Sequence, residues 1–320
     1  MKVLVTGRLP EEVISLIKAD HEVVANELDR PMPREEILRH LSDKDGLLSM
    51  VTEKIDAELM DSGPNLKMIA NYGVGYDNID LEAATARGIK VSNTPGVLTE
   101  ATADVTFALI LAVARRIVEG DRLVRAGGFK VWAPLLFLGI DVSGKTLGII
   151  GLGQIGKAVA RRARGFGMAI LYHGRHRIEE TEEKALGTAY VDLSTLLSQA
   201  DFVSLHVPLT DQTRYLIGRK ELEMMKPTAY LINASRGPVV DETALLEALR
   251  AKKIVGAGLD VYEREPYLTP GLSDLENVVL LPHVGSATIE TRTKMAELAA
   301  KNLLEGLAGR VPPNCLNCRR

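Results

Sequence analysis

The chain has 320 residues, of which 46% are hydrophobic and 25% charged, and it carries a net charge of −3 at neutral pH. The length allows two domains with their own cores. The composition is that of an ordinary globular protein, and the charge offers no bulk electrostatic case for nucleic acid or an anionic membrane.

Strand-like and helix-like stretches alternate along the chain, the pattern of parallel βα units. Residues 2–6 read as a first strand, too short an apolar run for a secretory signal. A helical pattern starts at Pro10, and further short strands are expected at 22–25, 46–49, 67–70 and 89–92, the last ending in the turn Asn93-Thr94-Pro95-Gly96. A long helix is expected over 100–125. Its apolar run, 105–114, is about half of a bilayer span, so it reads as a buried helix, at a subunit interface in one version. After a loop at 141–145, strands are expected at 146–150, 169–173, 189–191, 202–206, 229–233, 255–259 and 278–281. A final helix runs from Ile289 to Gly306 with Thr288 as its cap.

This pattern predicts two Rossmann-like, doubly wound α/β domains. The dinucleotide-binding domain, 100–285, is inserted into a substrate domain made of 1–99 and 286–320. Hinges near 97–101 and 284–288 would open a cleft whose closure excludes water from the chemistry. The two cysteines, Cys315 and Cys318, lie in the last six residues. No disulfide framework is expected, which suits a reducing cytoplasm. Their C-x-x-C spacing lacks two further ligands for zinc, so no metal site is expected and the tail reads as disordered.

Gly151, Gly153 and Gly156 form G-x-G-x-x-G between the strand at 146–150 and a helix start at Lys157. The spacing alone is weak evidence. In this context the glycines meet three demands: a tight turn, close approach of backbone to a pyrophosphate, and close packing of helix on strand. The helix N-terminus adds free N–H groups for phosphate. NAD sites carry an acid about 20 residues further on. No carboxylate lies between Gly156 and Glu179, and the next strand ends in Arg175-His176-Arg177. Arginines attract the 2′-phosphate that a carboxylate would repel. NADP is therefore the expected cofactor, with NAD possible, and His176 an additional donor.

Three more segments put polar groups just beyond strands, where α/β sheets place their ligand chemistry. They contain Arg236, Glu265 and His283. Reducing a 2-oxo acid requires a cation for the carboxylate and carbonyl, an acid for the developing alkoxide, and a carboxylate that keeps that acid charged. The three residues supply those types. Singly, each has a plain alternative: a loop ion pair, a solvated charge, and a core histidine satisfied by backbone. His206, also at a strand end, is the rival acid, although no carboxylate stands near it in sequence.

The motifs Asn71-Tyr72-Gly73-Val74-Gly75-Tyr76-Asp77-Asn78-Ile79-Asp80, Asn93-Thr94-Pro95-Gly96-Val97-Leu98-Thr99, the glycine motif, Asn233-Ala234-Ser235-Arg236-Gly237, Gly258 through Pro266, and Pro282-His283-Val284-Gly285-Ser286-Ala287 occur in this order. Along essentially its whole length the chain resembles the D-isomer-specific 2-hydroxyacid dehydrogenases, most of all the glyoxylate/hydroxypyruvate reductases. The resemblance implies that Arg236 orients the substrate, that His283 paired with Glu265 donates the proton, and that backbone N–H groups at Val74 and Gly75 receive the carboxylate. It also implies cofactor contacts at Thr102, Gln154, Ile155, Ala234, Ser235, Asp260 and Gly285. Asp260 would bond the nicotinamide carboxamide, beside Thr102. A homodimer built on the long helix is implied, with Trp132 in a segment that reaches toward the partner's site. Phosphite dehydrogenases carry lysine where this chain has Val74, and formate dehydrogenases a glutamine where it has Glu265. Two alternatives stay open at this point. One is another member of the family acting on pyruvate, 2-ketogluconate or 3-phosphoglycerate. The other is a dinucleotide-sensing, corepressor-like binding protein.

Overall fold

Every stretch read as a strand forms one, in two parallel sheets flanked by helices. The computed structural model describes residues 1–318. It divides into two units, Met1–Leu98 with the chain from Ala287 onward, and Thr99–Ser286.

The first unit holds β1 (Lys2–Val5), β2 (Glu22–Ala25), β3 (Gly46–Met50), β4 (Met68–Tyr72) and β5 (Lys90–Ser92), in the sheet order β2-β1-β3-β4-β5. Its core joins Leu4, Leu47, Ile69 and Val91 of the strands to Ile37, Leu41 and Leu59 of the helices. The helix Ile289–Leu307 belongs to this unit, and Thr288 caps it by accepting the Thr291 N–H at 3.1 Å. A side chain at Gly46 would meet Leu303 and Leu307 at 3.0–3.1 Å, so glycine there lets this helix lie close on β3.

The second unit holds β6 (Thr146–Ile150), β7 (Ala169–His173), β8 (Thr188–Tyr190), β9 (Phe202–Leu205), β10 (Tyr230–Asn233), β11 (Gly256–Leu259) and β12 (Val278–Leu280). The order is β12-β11-β10-β9-β6-β7-β8, so the chain reverses direction across the sheet between β6 and β9. Successive strand residues face opposite sides. Accordingly Ile150, Val203 and Leu231 enter one core while Ile149, Phe202 and Ile232 enter the other.

Two expectations are corrected. The long helix is two helices, Thr99–Ala114 and Ile117–Arg125, separated at Arg116, which adopts a left-handed φ of 55°. The Ala114 carbonyl accepts the Ile140 N–H at 2.9 Å instead of continuing the helix, and Arg116 turns to bond Glu119 and to lie over the Phe137 ring at 4.1 Å. A segment two dozen residues downstream therefore ends the helix, which local propensity does not foresee. The tail through Cys318 is likewise ordered. Cys315 and Cys318 form a disulfide, Leu316 donates its N–H to Val91 O at 2.8 Å, and Asn317 accepts the Val91 N–H at 2.9 Å. The exposed edge of β5 has unpaired backbone groups, and the tail satisfies them. No helix among the described residues is long and apolar enough to cross a membrane.

Candidate active site

The reversal between β6 and β9 is where an open α/β sheet leaves a crevice at its carboxyl edge. Gly151 ends β6 there with φ 96°, and a side chain on it would strike the His206 backbone at 2.8 Å. Around Gly153 nothing lies within 4 Å of a would-be Cβ, which leaves that side of the turn open for a ligand. At Gly156 a Cβ would meet Gly151 O at 2.3 Å, so only glycine lets the helix Gln154–Gly165 pack onto the turn. No side chain caps that helix, and its first turn holds no acid. Each glycine therefore meets one of the three demands of a dinucleotide turn, and the residues fit a pyrophosphate.

At the end of β7, Arg175, His176 and Arg177 are all exposed. They differ in availability. Arg177 grips Glu183 through two bonds of 2.9 and 2.7 Å, and the Tyr172 hydroxyl donates to the same carboxylate at 2.5 Å. The bonds from Arg177 and Tyr172 hold the Glu183 carboxyl down at about 2. Arg175 and His176 make no hydrogen bond or ion pair among the described residues. Arg177 thus braces the loop, and Arg175 has no such partner among the described residues.

The three residues read as catalytic gather on the loops after β10, β11 and β12. His283 Nδ1 lies 2.8 Å from Glu265 Oε2. Burial pushes the Glu265 carboxyl up, but the bond and charge of His283, the Tyr262 N–H and the Arg236 charge together bring it below the usual carboxylate range. Arg236 leads into a one-turn helix, Gly237–Val239, and donates from Nη1 to Ser235 O at 3.0 Å. A side chain at Gly237 would overlap Tyr262 O at 1.8 Å, so glycine brings the Arg236 loop against the Glu265 loop. Asn233 sets the Ser235-Arg236 turn, accepting from Ser235 N–H and Oγ–H and donating to Arg236 O.

His283 has φ 53°, a conformation costly for a residue with a side chain. Asp260 holds it there. Its carbonyl accepts the His283 N–H at 2.9 Å, and its two carboxylate oxygens accept the Val284 and Gly285 N–H groups at 2.7 Å each. Burial raises the Asp260 carboxyl, against the pull of these bonds. Gly285 is close to both Asp260 and Thr102, since a Cβ there would lie 3.1 Å and 3.4 Å from them. The sequence reasoning missed Glu242. This buried carboxylate accepts the Glu263 N–H at 2.6 Å and the Thr269 hydroxyl at 2.7 Å, and so pins the loop that carries Glu265. Its place in an ordinary helix start gave no signal.

His206, the rival acid, stands in a different environment. Burial lowers it to about 4, its Nε2 bonds Ser204 Oγ at 2.8 Å, and its Nδ1 is shut off from solvent with no partner among the described residues. It is neutral near pH 7 and pairs with no carboxylate among the described residues.

In the first unit, Val74 and Gly75 lie on the loop after β4. Their carbonyls are taken by Asn93 at 2.8 Å and Asn71 at 2.7 Å. Their N–H groups make no hydrogen bond among the described residues, which is the makeup of a small anion nest.

The model of the family described as "D-isomer specific 2-hydroxyacid dehydrogenase, NAD binding domain" matches residues 107–285. The glyoxylate reductase of Thermococcus litoralis is 55% identical over 320 residues, spanning 99% of this chain and 96% of that protein. The crystal structure of a glyoxylate reductase from Paecilomyes thermophila matches with a TM-score of 0.88 at 36% identity, covering 99% of this chain and 98% of the other. The NADPH-dependent glyoxylate/hydroxypyruvate reductase of Sinorhizobium meliloti, solved with NADP and malonate, matches with a TM-score of 0.88 at 35% identity, covering 100% of this chain and 98% of the other. The chain belongs to the D-isomer-specific 2-hydroxyacid dehydrogenase family.

Proposed function

We propose that this protein is a reductase of glyoxylate and hydroxypyruvate that prefers NADPH. The observation that carries the proposal is the His283–Glu265 pair at 2.8 Å beside Arg236, on the same carboxyl edge of the sheet as an open glycine turn. A bound reduced nicotinamide supplies the hydride. The chain supplies the rest. Arg236 pairs with the substrate carboxylate and polarises the carbonyl, a task suited to its fork of donors. His283 donates a proton from Nε2 to the carbonyl oxygen as negative charge develops there. Glu265 orients the ring through Nδ1 and stabilises its protonated form. The free N–H groups of Val74 and Gly75 receive the carboxylate.

Gly151, Gly153 and Gly156 with the N–H groups of Gln154 and Ile155 hold the pyrophosphate. Ala234 and Ser235 form a cofactor wall. Thr102, Asp260 and Gly285 flank the nicotinamide, and each Asp260 oxygen keeps an acceptor position for its carboxamide. Arg175, with His176, takes the 2′-phosphate. Two copies of the chain form the working enzyme, and the cytoplasm is its compartment, a reading that the Cys315–Cys318 disulfide does not favour. The Sinorhizobium meliloti relative is described as NADPH-dependent, which supports the cofactor preference.

The deciding experiment is a panel of 2-oxo acids assayed with NADPH and NADH, using the wild type and Arg175→Ala. Glyoxylate and hydroxypyruvate should lead the panel. Losing one charge-assisted pair to phosphate should weaken use of NADPH by about 10- to 100-fold and leave NADH nearly unchanged. Equal losses with both cofactors, or a clear wild-type preference for NADH, would end the NADPH proposal. Absence of turnover with every 2-oxo acid, while NADPH still binds, would favour a sensing role.

A further inference from the structure

The carboxyl ends of β1, β3 and β4 converge on one buried acid that the proposed chemistry does not use. Glu53 lies three residues past β3 and is only 7% exposed. Its Oε2 accepts the Thr6 hydroxyl at 2.7 Å and the Met50 N–H at 3.0 Å. Its Oε1 is closed off from solvent and has no hydrogen-bond partner among the described residues. The backbone carbonyl of Glu53 accepts from Asn78 Nδ2 at 3.0 Å, and the same amide reaches Met50 O at 3.3 Å. Asn78 in turn pairs with the amide of Asn71 at 3.3 Å, and Asn71 donates to Gly75 O at 2.7 Å. An unbroken chain of hydrogen bonds thus runs from the Glu53 segment to Gly75.

Such a buried carboxyl is expensive, and a half-satisfied one more so. Burial has pushed it up to about 7. Nothing in the packing of β1 against β3 demands an acid, because each strand pairs through its own backbone. The acid acts on the turn: it ties Met50 to Thr6 and thereby sets where Asn78 and Asn71 stand.

We propose that Glu53 is a positioning residue for substrate binding. Through the Met50 turn, Asn78 and Asn71 it fixes the Gly75 peptide, and so the direction of the Val74 and Gly75 N–H groups. The inference rests on the reading that those N–H groups receive the substrate carboxylate.

The test compares glyoxylate with glyoxal, which keeps the reacting aldehyde and lacks the carboxylate. Wild type, Glu53→Ala and Glu53→Gln are assayed with NADPH, and NADPH binding is followed by its fluorescence. Glu53→Ala should raise KM for glyoxylate roughly tenfold, the equivalent of one strong hydrogen bond lost. Its kcat, its KM for glyoxal and its NADPH affinity should stay as in the wild type. Glu53→Gln keeps an acceptor oxygen and should restore a KM near that of the wild type. An unchanged glyoxylate KM in Glu53→Ala overturns the proposal, and so does a parallel loss for glyoxal and NADPH, which marks general damage. A wild type that uses glyoxal as well as glyoxylate refutes the carboxylate reading itself, a result separate from either of these. Should Glu53→Ala not fold, Thr6→Val removes one partner without changing shape. It should raise the glyoxylate KM selectively, and an unchanged KM again overturns the proposal.

Discussion

Single residues in this protein take their roles from what holds them. His283 is strained into its turn by Asp260 and aimed by Glu265, while His206 is half-buried, neutral and paired with no carboxylate among the described residues. Two histidines that each follow a strand of the same sheet therefore separate cleanly. His283→Ala should lower kcat by about 100- to 10,000-fold, the usual range for a general acid, with NADPH affinity little changed. A near-normal kcat in steady-state assays would remove His283 from the mechanism. Glu53 carries a second consequence at this scale. In the unfolded chain its carboxyl ionises near 4.5, whereas in the fold it stays protonated to about 7. The folded state therefore binds more protons between those values, and stability falls as pH rises through that window. Glu53→Gln, which does not titrate, should gain on the wild type from pH 5 to pH 8, by at most on the order of 3 kcal/mol. Thermal melts of both proteins across that range check it, and a constant difference would show that Glu53 ionises freely.

At the scale of elements, most of the architecture could be read along the chain. Strand positions followed from short apolar runs between turns, and the Thr288 cap was visible as a residue type at the right place. What could not be read were the events caused by distant partners. The helix break at Arg116 depends on Ile140, and the ordered tail depends on the open edge of β5. The tail is held chiefly by Asn317, which accepts the Val91 N–H and donates to Ile89 O at 2.8 Å and to Thr85 at 3.0 Å. Buried Asn302 adds a second tie, bonding Asn93 O at 3.0 Å and accepting the Asn314 N–H at 3.3 Å. Replacing Asn317 by Ala leaves the Val91 and Ile89 backbone groups unpaired. It should cost about 1–3 kcal/mol, seen as a lower midpoint in denaturant unfolding. An unchanged midpoint would mean that the edge of β5 needs no cover.

For the molecule as a whole, the segment after the broken helix matters most. Phe129, Val131, Leu135 and Leu138 are exposed along with Trp132, which is 76% exposed. A soluble monomer rarely leaves such an apolar run uncovered. Sedimentation should give a particle of twice the 34.8 kDa chain mass, and Trp132→Glu should shift it toward the monomer. A wild-type monomer at micromolar concentration would refute the assembly. The chain's single tryptophan reports the same event through its fluorescence. The sequence by itself determined the α/β class, the dinucleotide turn, the lack of an acid between Gly156 and Glu179, and the Arg236, Glu265 and His283 set. Those features depend on residue type and short spacing, which local geometry converts directly into strands, turns and phosphate sites. Only the tertiary structure decided that Arg177 is spent on Glu183 while Arg175 is available, that His206 is neutral, that Glu242 pins the Glu265 loop, and that the tail completes a sheet. Those outcomes depend on burial and on the choice of partner, and partners are selected by packing between residues that lie far apart in the chain.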